Sequence, residues 1–430
     1  MRVGHITAAR AQRLTGCVSL AFVKPYGNRP LVVMTLIRHK VDSPISSVTL
    51  HRIALPTRRE HKWTGLTEPI GGFVLIKMED NDGRAGWGEA PVLKDWGGDH
   101  GRYFGETPGT TFSVTQQYLA PAIKGCPPGD IAELHARMDR AIKGFPYAKA
   151  ALEFAAYDLA GQQCGLPVHR LLGGAHRRKI SVTHSIGLIG IEEAEREAAQ
   201  VVQEGIRTIK IKIGVEADRD VEMVRRVRRV VGPGIALCVD ANQGYRTVGE
   251  ALRTFRRMER SDLSYFEQPV EGIAGLAEVA HAIDVPVMAD ESAWNAHDVI
   301  EIIEKQAAQI ISIYTTKPGG LYRAMEVAAV ARAAGIICNV NGSVETGVGN
   351  LANLQLAAAA APVVLSCVVP VSTPAEHQIG IAGIYYKDDL IAAPMAYADG
   401  AIDLPAGVGM GIPVDEAKIR RYTIEVAKAG

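Results

Sequence analysis

From Lys179 onward the sequence alternates between short apolar stretches and amphipathic helical stretches, in eight units spaced 22–29 residues apart. Strands separated by helices in this way are typical of a parallel sheet with both faces covered. A doubly wound sheet would gather polar residues at one or two switch points. Here each of strands two to five has Lys, Asp or Glu as its last or next-to-last residue, which predicts a closed barrel with its active site at the C-terminal ends of the strands. The predicted strands are 180–184, 208–213, 236–240, 263–268, 285–290, 309–314, 336–341 and 363–368.

The second predicted strand carries two lysines, Lys210 and Lys212, on one face, because side chains alternate along a strand. Their ammonium groups would lie roughly 7 Å apart and repel unless carboxylates or a bound anion faced them. Carboxylates do end the next three strands, at Asp240, Glu267 and Asp290. If these strands are parallel neighbours, two lysines and three acids converge on one rim of the barrel.

Three carboxylates without His or Cys offer hard oxygen ligands, which favour Mg²⁺, or Mn²⁺, over zinc. Such an ion acts as a Lewis acid on a substrate carboxylate, so that the α-proton can leave through an enolate-like intermediate. We expect Lys212, beside a second cation and the metal, to have a lowered pKa and to serve as the base. Lys210 would supply the neighbouring charge and contact the substrate carboxylate.

An α+β domain is predicted ahead of the barrel, over residues 46–174. Alternating stretches at 73–78 and 85–90 flank a Gly-containing turn and predict a hairpin, beside an earlier strand at 47–54. The polar loops 57–65 and 93–106 are either solvated connections or binding loops. In the second case Trp63, Trp96 and His100 would face the substrate, and the basic residues Lys62 and Lys94 suggest that it carries a further polar or anionic group.

Residues 1–45 are interpreted as a leader, because residues 1–41 hold seven Lys and Arg and no acid. An organellar transit peptide has this bias, although a disordered leader, or a natural start at Met34, is the simpler interpretation. The barrel domain is predicted over 175–404. Residues 405–430 are expected to return to the capping domain.

Charge and cysteine content limit the possible partners. Lys plus Arg and Asp plus Glu balance at 47 each, and no basic run interleaves with aromatics, so nothing favours nucleic acid. No apolar run reaches the roughly 18 residues of a membrane span. Six scattered cysteines without a CxxC pair indicate reduced thiols. We therefore expect a cytoplasmic protein, a homo-oligomer, whose partner is a small carboxylate substrate.

Short motifs occur throughout the two predicted domains. They are Gly86-Trp-Gly-Glu89, Ala155-Ala-Tyr-Asp-Leu-Ala-Gly161, Leu171-Leu-Gly-Gly174, Lys210-Ile-Lys212, Asp240-Ala-Asn242, Glu267-Gln-Pro269, Asp290-Glu291, Gly319-Gly320 and Gly342-Ser-Val-Glu345. Together they resemble the enolase superfamily, and within it the muconate lactonizing branch of the mandelate racemase/muconate lactonizing enzyme family. Each motif alone is weak, but the set covers nearly everything from Ser46 to Leu404.

The resemblance implies an α/β fold, a modified (β/α)₇β barrel of the TIM type with an α+β capping domain whose loops close over it. It also implies Mg²⁺ bound by Asp240, Glu267 and Asp290, and exchange of the α-proton by Lys212. Four further polar residues at the strand ends are expected to bind substrate. They are Asn242, Glu291, Asn341 and Glu345.

One residue departs from the family's pattern. Tyr314 stands at the end of the sixth strand, where this branch usually has a second catalytic lysine, and Lys317 falls in the following loop and is expected not to be equivalent. A tyrosine with a pKa of about 10 is a poor base but an adequate acid or hydrogen-bond donor.

This departure favours chemistry on one face of the substrate. We expect a muconate-cycloisomerase-like isomerase or lyase, with a dehydratase acting on acid sugars or on hydroxy or amino acids as the alternative. A racemase or epimerase using Lys212 and Tyr314 together is the third hypothesis. A metal-binding pseudoenzyme is the non-enzymatic alternative.

Overall fold

The structure is a computed structural model that describes residues 43–58, 61–66, 69–97, 103, 105–342, 344–377, 380 and 385–429. Residues 1–42 of the predicted leader lie outside this description. His100, one of the predicted substrate-binding residues, lies outside it as well.

An antiparallel hairpin forms where the alternating apolar residues and the Gly-containing turn predicted it. Asp80 Oδ1 holds the turn by accepting hydrogen bonds from the backbone N–H groups of Asp82 and Arg84, at 2.9 Å each. Gly83 has a left-handed φ of 82° in the turn, which glycine adopts at little cost. The elements of this part are β1 (Ile45–Ala54), β2 (Gly72–Asp80), β3 (Ala85–Ala90), α1 (Pro108–Val114), a π-helical turn (Thr115–Leu119), α2 (Ala120–Ile123), α3 (Ile131–Ala141), α4 (Pro146–Cys164) and α5 (Val168–Leu171).

Helix α4 packs directly on β3 because two glycines of β3 face it. A Cβ atom on Gly86 would lie 2.2 Å from the carbonyl oxygen of Ala155, and one on Gly88 would lie 2.0 Å from that of Ala151. Both distances are far inside van der Waals contact, so a larger residue at either position would push the helix off the sheet. The two glycines of the Gly86-Trp-Gly-Glu89 motif therefore have a packing role.

Strands and helices then alternate to form the barrel. The elements are β4 (Lys179–Ser181), β5 (Thr183–Ile186), α6 (Ile191–Gln203), β6 (Thr208–Lys212), α7 (Ala217–Val231), β7 (Ala236–Asp240), α8 (Val248–Met258), a 3₁₀ turn (Glu259–Ser261), β8 (Leu263–Glu267), α9 (Ile273–Ala282), β9 (Val287–Ala289), α10 (Ala296–Lys305), β10 (Ile310–Ile313), α11 (Leu321–Ala333), β11 (Ile337–Val340), α12 (Gly347–Ala359) and a 3₁₀ turn (Ala375–His377). Seven strands form one parallel sheet in the order β11-β10-β9-β8-β7-β6-β5. Residues 363–368 close it, since Val368 bridges to Asn341 beyond β11 and Cys367 bridges to Val182 beside β5.

Two predicted strands differ from the observed ones. The first, 180–184, is divided at Val182: β4 pairs antiparallel with residues 401–403, and only β5 joins the parallel sheet. The eighth, 363–368, makes isolated bridges rather than a continuous strand. The carbonyl oxygen of Cys338 accepts hydrogen bonds from both Val364 and Leu365, at 3.1 and 3.3 Å, and such a shared acceptor interrupts the ladder as a bulge does.

The last part of the described chain returns to both sheets. Its elements are β12 (Tyr397–Ala398), β13 (Ala401–Asp403), α13 (Glu416–Tyr422) and β14 (Thr423–Ala429). Strand β13 pairs with β4, and β14 pairs antiparallel with β1 to give the order β14-β1-β2-β3. Arg52 and Glu425, 373 residues apart in sequence, face each other across this pairing. The fold class predicted from the sequence, an α/β barrel with an α+β capping domain, is confirmed.

Buried carboxylates of the capping domain hold two barrel helices at their N-termini. Glu153 of α4 accepts hydrogen bonds from the N–H groups of Leu321 at 2.6 Å and Tyr322 at 2.9 Å, at the start of α11. Glu89, at the end of β3, accepts from the N–H of Thr346 at 2.9 Å and also from its hydroxyl, at the start of α12. The first N–H groups of a helix have no partner within the helix, and negative charge is favourable there. These contacts tie the capping domain to the helices that follow the sixth and seventh barrel strands.

Within the described part of the chain, no helix combines the length and the apolar character needed to cross a membrane. Of the five cysteines found there, Cys126, Cys238, Cys338 and Cys367 are free and buried. Only Cys164 among these five is exposed. Buried reduced thiols agree with the interpretation of the cysteine spacing.

Replacing Glu153 by Gln should destabilise the protein. The amide keeps the size of the side chain but supplies one accepting oxygen instead of two, so one N–H group at the start of α11 loses its partner. An unpaired buried donor costs about 1–3 kcal/mol, and the free energy of unfolding in urea should fall by this amount. Glu133→Gln is the matched control, because Glu133 is exposed on α3 and its ion pair with Arg137 contributes about 0–1 kcal/mol. Equal losses in the two variants would contradict the capping role of Glu153.

Candidate active site

A small cavity of about 20 Å³, measured as the space open to the centre of a water-sized sphere, lies over the C-terminal ends of the barrel strands. Lys210, Lys212 and Tyr314 line it from the barrel, and Trp63 and Trp96 line it from the capping domain. Gly342, the first residue of the motif Gly342-Ser-Val-Glu345, also lines it. The lining residues that sequence reasoning did not name are His61, Ser185, Val368 and Tyr385. These four belong to loops or to positions without a charged group, so no residue pattern marked them.

The register of the parallel sheet brings the two lysines against the first two acids. Lys212 is the neighbour of Asp240, and Asp240 is the neighbour of Glu267, across β6, β7 and β8. Lys212 Nζ lies 2.6 Å from Asp240 Oδ2. Lys210 Nζ lies 3.1 Å from the same oxygen and 2.9 Å from Glu267 Oε1. All four side chains are buried, so their charges act on one another without much screening by water.

The third acid, Asp290, is held by Lys317. The Lys317 ammonium donates to Oδ1 and to the backbone oxygen of Asp290 at 2.7 Å each, and to the backbone oxygen of Ser312 at 3.0 Å. An ammonium group has three N–H donors, so these contacts use all of them. Sequence reasoning correctly placed Lys317 in a loop but missed its contact with Asp290. The only signal was a lone basic residue in an otherwise uncharged loop, 315–320.

Tyr314 stands across the barrel from Lys212, because the second and sixth strands of an eight-stranded ring are opposite each other. Its hydroxyl donates to Asp290 Oδ2 at 3.4 Å, and its ring centroid lies 4.9 Å from that of Trp96. Burial raises the pKa of Tyr314 well above its usual value, and Asp290 and Glu267 act in the same direction. The side chain is therefore a neutral phenol.

The pKa values of the acids are shifted in different directions. Burial and the neighbouring Asp240 raise the pKa of Glu267, and burial and Asp290 raise the pKa of Glu291 well above its usual range. Burial would also raise the pKa of Asp240, but Lys212 and its neighbour Lys210 outweigh it and lower that pKa. The ammonium groups of the site therefore neutralise some of its carboxylates and leave others short of positive charge.

Two residues that follow the acids have left-handed backbone conformations, Asn242 with φ of 42° and Gln268 with φ of 32°. Such strain costs roughly 1–3 kcal/mol and persists where surrounding contacts hold it. Asn242 accepts from Lys212 Nζ at 2.7 Å and donates to Glu291 Oε1 at 2.7 Å. Gln268 Oε1 accepts from the backbone N–H of Asp290 at 2.9 Å. The strained residues thus orient the charged groups.

Four residues predicted to bind substrate are buried and are not among the described residues that line the cavity. They are Asn242, Glu291, Asn341 and Glu345. Asn341 Nδ2 donates to Glu267 Oε1 at 3.1 Å and to Ser312 Oγ at 2.8 Å. Glu345 lies near Glu89, where burial raises the pKa of Glu89 to about 8 and Glu345 adds to that rise. Their contacts are with the acids and with the capping domain.

The capping loops place two tryptophans at the cavity. Lys212 Nζ lies 5.9 Å from the centroid of the Trp63 ring, and Trp96 packs on Tyr314. Lys62 and Lys94, by contrast, are exposed and are absent from the described lining. The positions of Lys62 and Lys94 therefore do not support the expectation that basic loop residues bind an anionic group of the substrate.

The donor set fits a hard divalent cation. Asp240, Glu267 and Asp290 are buried and offer oxygen atoms alone. Glu267 Oε2 has no hydrogen-bond partner among the described residues, as expected of a ligand atom. The acids accept hydrogen bonds from lysines in this conformation, and no three His, Cys, Asp or Glu side chains of the described chain share one metal position. A divalent ion would supply the positive charge that the lysines leave lacking.

Comparison with known proteins decides the family. Residues 193–418 match the family model described as enolase C-terminal domain-like, and residues 49–173 match the N-terminal domain of mandelate racemase/muconate lactonizing enzyme. The chain belongs to the mandelate racemase/muconate lactonizing enzyme family. Its relatives in the enolase superfamily are cycloisomerases, racemases and epimerases, so the chain is an enzyme of this superfamily. Members of the family depend on a divalent metal ion.

Relatives with different activities match the chain about equally well. The N-succinyl-L-Arg/Lys racemase of Bacillus cereus is 30% identical over 88% of this chain and 98% of its own length, and its crystal structure has a TM-score of 0.82. Muconate cycloisomerase 1 of Rhodococcus opacus is 29% identical over 89% and 99%. A dipeptide epimerase of Cytophaga hutchinsonii, solved with Mg and D-Ala-L-Val, is 25% identical over 90% and 100%, with a TM-score of 0.80. Overall similarity to this family therefore leaves the reaction open.

Lys317→Gln should lower the free energy of unfolding, because the amide cannot replace the ammonium that faces Asp290 and two backbone oxygens. Removing one partner of a buried ion pair costs about 3–5 kcal/mol. Urea denaturation of Lys317→Gln beside Lys305→Gln, whose lysine is exposed at the end of α10, measures the effect. Similar midpoints and slopes for both variants would show that Asp290 does not need Lys317.

Proposed function

We propose that this chain is a Mg²⁺-dependent enzyme that removes the proton α to a substrate carboxylate with Lys212, on one face of the substrate. Its closest activity class would be a muconate-cycloisomerase-like isomerase or lyase. The observation that carries the proposal is the asymmetry of the site. Lys212 faces the cavity from the second strand, whereas a phenol, Tyr314, faces it from the sixth.

The divalent ion would be held by Asp240, Glu267 and Asp290, and when bound it would withdraw charge from the substrate carboxylate. Mg²⁺ suits the oxygen-only donor set, and Mn²⁺ is the second candidate. Counting Glu291, four buried carboxylates face three ammonium groups at this end of the barrel. A divalent ion would bring this set to a charge of +1 with Lys212 protonated, or to zero with Lys212 neutral and able to act as the base, so that one substrate carboxylate can bind at this end.

The two neighbouring lysines suit different roles. Burial would lower the pKa of Lys210, but Glu267 and Asp240 outweigh it and raise that pKa well above its usual value, so Lys210 stays charged and attracts the substrate carboxylate. Lys212 lies nearer the cavity, with 9% of its side chain exposed against 3% for Lys210. Its contacts with Asp240 and Asn242 hold the amine in position to exchange the α-proton.

Among the residues that the structure describes, the opposite face has no amine that is free to act. Lys317 is the nearest candidate in the chain to a sixth-strand base, and its three donors are bound to oxygens. Burial, with Asp290 and Glu267, raises the pKa of Tyr314 well above its usual value, so at neutral pH the phenol is a hydrogen-bond donor or a weak acid and not a base. A cycloisomerisation or a syn elimination can run with one base, so this geometry favours those reactions.

The alternatives are ranked by the same argument. A dehydratase acting on acid sugars or on hydroxy or amino acids shares the first step and comes second. Racemisation or epimerisation through Lys212 and Tyr314 comes third, although several relatives carry such names. A metal-binding pseudoenzyme would bind Mg²⁺ and exchange no proton. Homo-oligomerisation and a cytoplasmic location stay predictions.

Asp240→Asn should weaken Mg²⁺ binding and abolish turnover, because the amide removes a charge that two lysines and the metal share. Isothermal titration with Mg²⁺ and solvent deuterium exchange into α-positions of candidate carboxylates measure the two effects. Asp284→Asn is the control, since Asp284 is exposed. Full exchange activity in Asp240→Asn, or after thorough chelation of the wild-type protein, would rule out the metal-dependent proposal.

Lys212→Ala should eliminate α-proton exchange, whereas Tyr314→Phe should retain it. Removing the phenol hydroxyl costs at most a hydrogen bond of roughly 1–3 kcal/mol, or about 5- to 150-fold in rate. Exchange should be followed separately for each enantiomer of a chiral substrate. If Tyr314→Phe loses exchange for one enantiomer only, the enzyme uses two bases and the one-base proposal is wrong. Absence of exchange in wild type across acid sugars, amino-acid derivatives and muconates would favour the pseudoenzyme.

A further inference from the structure

A second, larger cavity lies where the capping domain, the barrel and the C-terminal segment meet. It measures about 460 Å³ as the space open to the centre of a water-sized sphere, against about 20 Å³ for the active-site cavity. Strand β3 and helix α4 form one side of it, helix α12 forms another, and residues 407–416 form the third. The described lining residues of the two cavities do not overlap. A volume of this size is typical of a small-molecule site.

The C-terminal side of this second cavity is held firmly in place. A Cβ atom on Gly161 of α4 would lie 2.7 Å from the Cα atom of Gly409, which is inside van der Waals contact. The Gly409 N–H donates to the carbonyl oxygen of Leu166 at 3.0 Å, and the carbonyl oxygen of Met410 accepts from Gln355 Nε2 of α12 at 3.0 Å. The cavity is therefore formed before a ligand enters, which reduces the entropy cost of binding.

The lining of the second cavity is mostly apolar, with negative charge as its only charge. Leu351 is buried beside the cavity, and Val408 is 52% exposed. The described lining includes two carboxylates, Asp158 and Glu416, and no Lys, Arg or His. Glu416 already pairs with Lys77 at 3.1 Å. The complementary ligand therefore has an apolar body and a positive charge placed at Asp158.

Asp158 has hydrogen bonds but no cationic partner within the described chain. Its Oδ1 accepts from the backbone N–H of Met410 at 2.8 Å, and its Oδ2 accepts from the N–H of Trp87 at 3.0 Å and from Gln162 Nε2 at 3.2 Å. Burial raises the pKa of Asp158 to about 6, and these three hydrogen bonds oppose the rise without help from a basic group. A carboxylate has about four acceptor sites, so one remains for a ligand.

We propose that the second cavity binds a small amphipathic cation, a protonated amine with an apolar body, whose ammonium group donates to Asp158 and whose apolar part packs on α12 and residues 407–414. The ammonium group supplies the positive charge that Asp158 lacks, and hydrogen bonds between charged groups are the stronger ones. Such a ligand joins the capping domain to the barrel, because its two ends contact α4 and α12. The proposal does not depend on the α-proton chemistry, and its failure would leave that chemistry untouched.

Three compounds with the same six-carbon chain test the proposal. They are hexylammonium, 1-hexanol and hexanoate, and their affinities are measured by isothermal titration with the full chain and Mg²⁺. Hexylammonium should bind at least about 10-fold more tightly than hexanol, because a hydrogen bond to a charged group adds to the apolar contacts. Hexanoate should bind the second cavity more weakly than either. Each CH₂ removed from the alkylammonium should cost about fourfold in affinity.

Chelation separates the second cavity from the active site. Hexylammonium should bind equally well with Mg²⁺ and with excess EDTA, whereas hexanoate that binds through the proposed metal should lose its affinity in EDTA. Loss of hexylammonium binding on chelation would overturn the proposal.

Two variants locate the ligand. Asp158→Asn should bring the ratio of hexylammonium to hexanol affinity to about one, and this ratio does not depend on the fraction of folded protein. Asp284→Asn, at an exposed acid, should leave the ratio unchanged. Val408→Arg should weaken hexylammonium binding by placing a cation beside the cavity, whereas Val364→Arg, at a residue that is 61% exposed elsewhere, should not.

Other results would contradict the amine site. Equal affinities for hexylammonium and hexanol in the wild type, or a ratio that Asp158→Asn leaves unchanged, would each overturn it. Absence of hexylammonium binding would overturn it as well. In that case, a smaller particle for Val408→Arg than for the wild type in light scattering would assign this surface to a second copy of the chain.

Discussion

The buried charges at the C-terminal end of the barrel constrain the surrounding structure, because each charged group needs a partner there. Removing carboxylates and ammonium groups from water costs several kcal/mol per ion unless partners are well placed. The register of β6, β7 and β8 places Lys210, Lys212, Asp240 and Glu267 in contact, and the loop after β10 brings Lys317 to Asp290. Neighbouring polar side chains, such as Asn242 and Asn341, then hold these groups in place through hydrogen bonds. Burial and the neighbouring Asp240 raise the pKa of Glu267, and a divalent ion bound there would offset both effects.

The motifs that identify the family are of two kinds: some carry the charged side chains of the site, and others hold the fold together. The lysines and strand-end acids contact one another at the cavity. Gly86 and Gly88, by contrast, allow α4 to approach β3, and Glu89 caps a barrel helix. The motif Gly86-Trp-Gly-Glu89 therefore packs the capping domain and joins it to the barrel. The capping loops line the cavity with Trp63 and Trp96, whereas the lysines come from a barrel strand.

Much of this arrangement could be predicted from the sequence, because strand periodicity and the acids at the ends of three successive strands are local signals. The barrel, the hairpin and the contact of Lys210 and Lys212 with acids follow from them. The division of the first strand at Val182 could not, since it depends on pairing with residues 401–403. The role of Lys317 depends on how one loop turns. The outward position of Lys62 and Lys94 depends on loop conformation too, and composition alone suggested the opposite.

The pairing of β14 with β1 has a consequence for how the protein is made. Strand β1 needs a partner on each edge, and one of them lies 373 residues later in the chain at the Arg52–Glu425 contact. At a synthesis rate of about 5–20 residues per second, the ribosome takes roughly 20–75 s to supply it. During that interval β1 presents an open strand edge of the kind that promotes association between nascent chains. The capping sheet can therefore be completed only after residues 423–429 have been made, and all seven strands of the barrel sheet precede them in the chain.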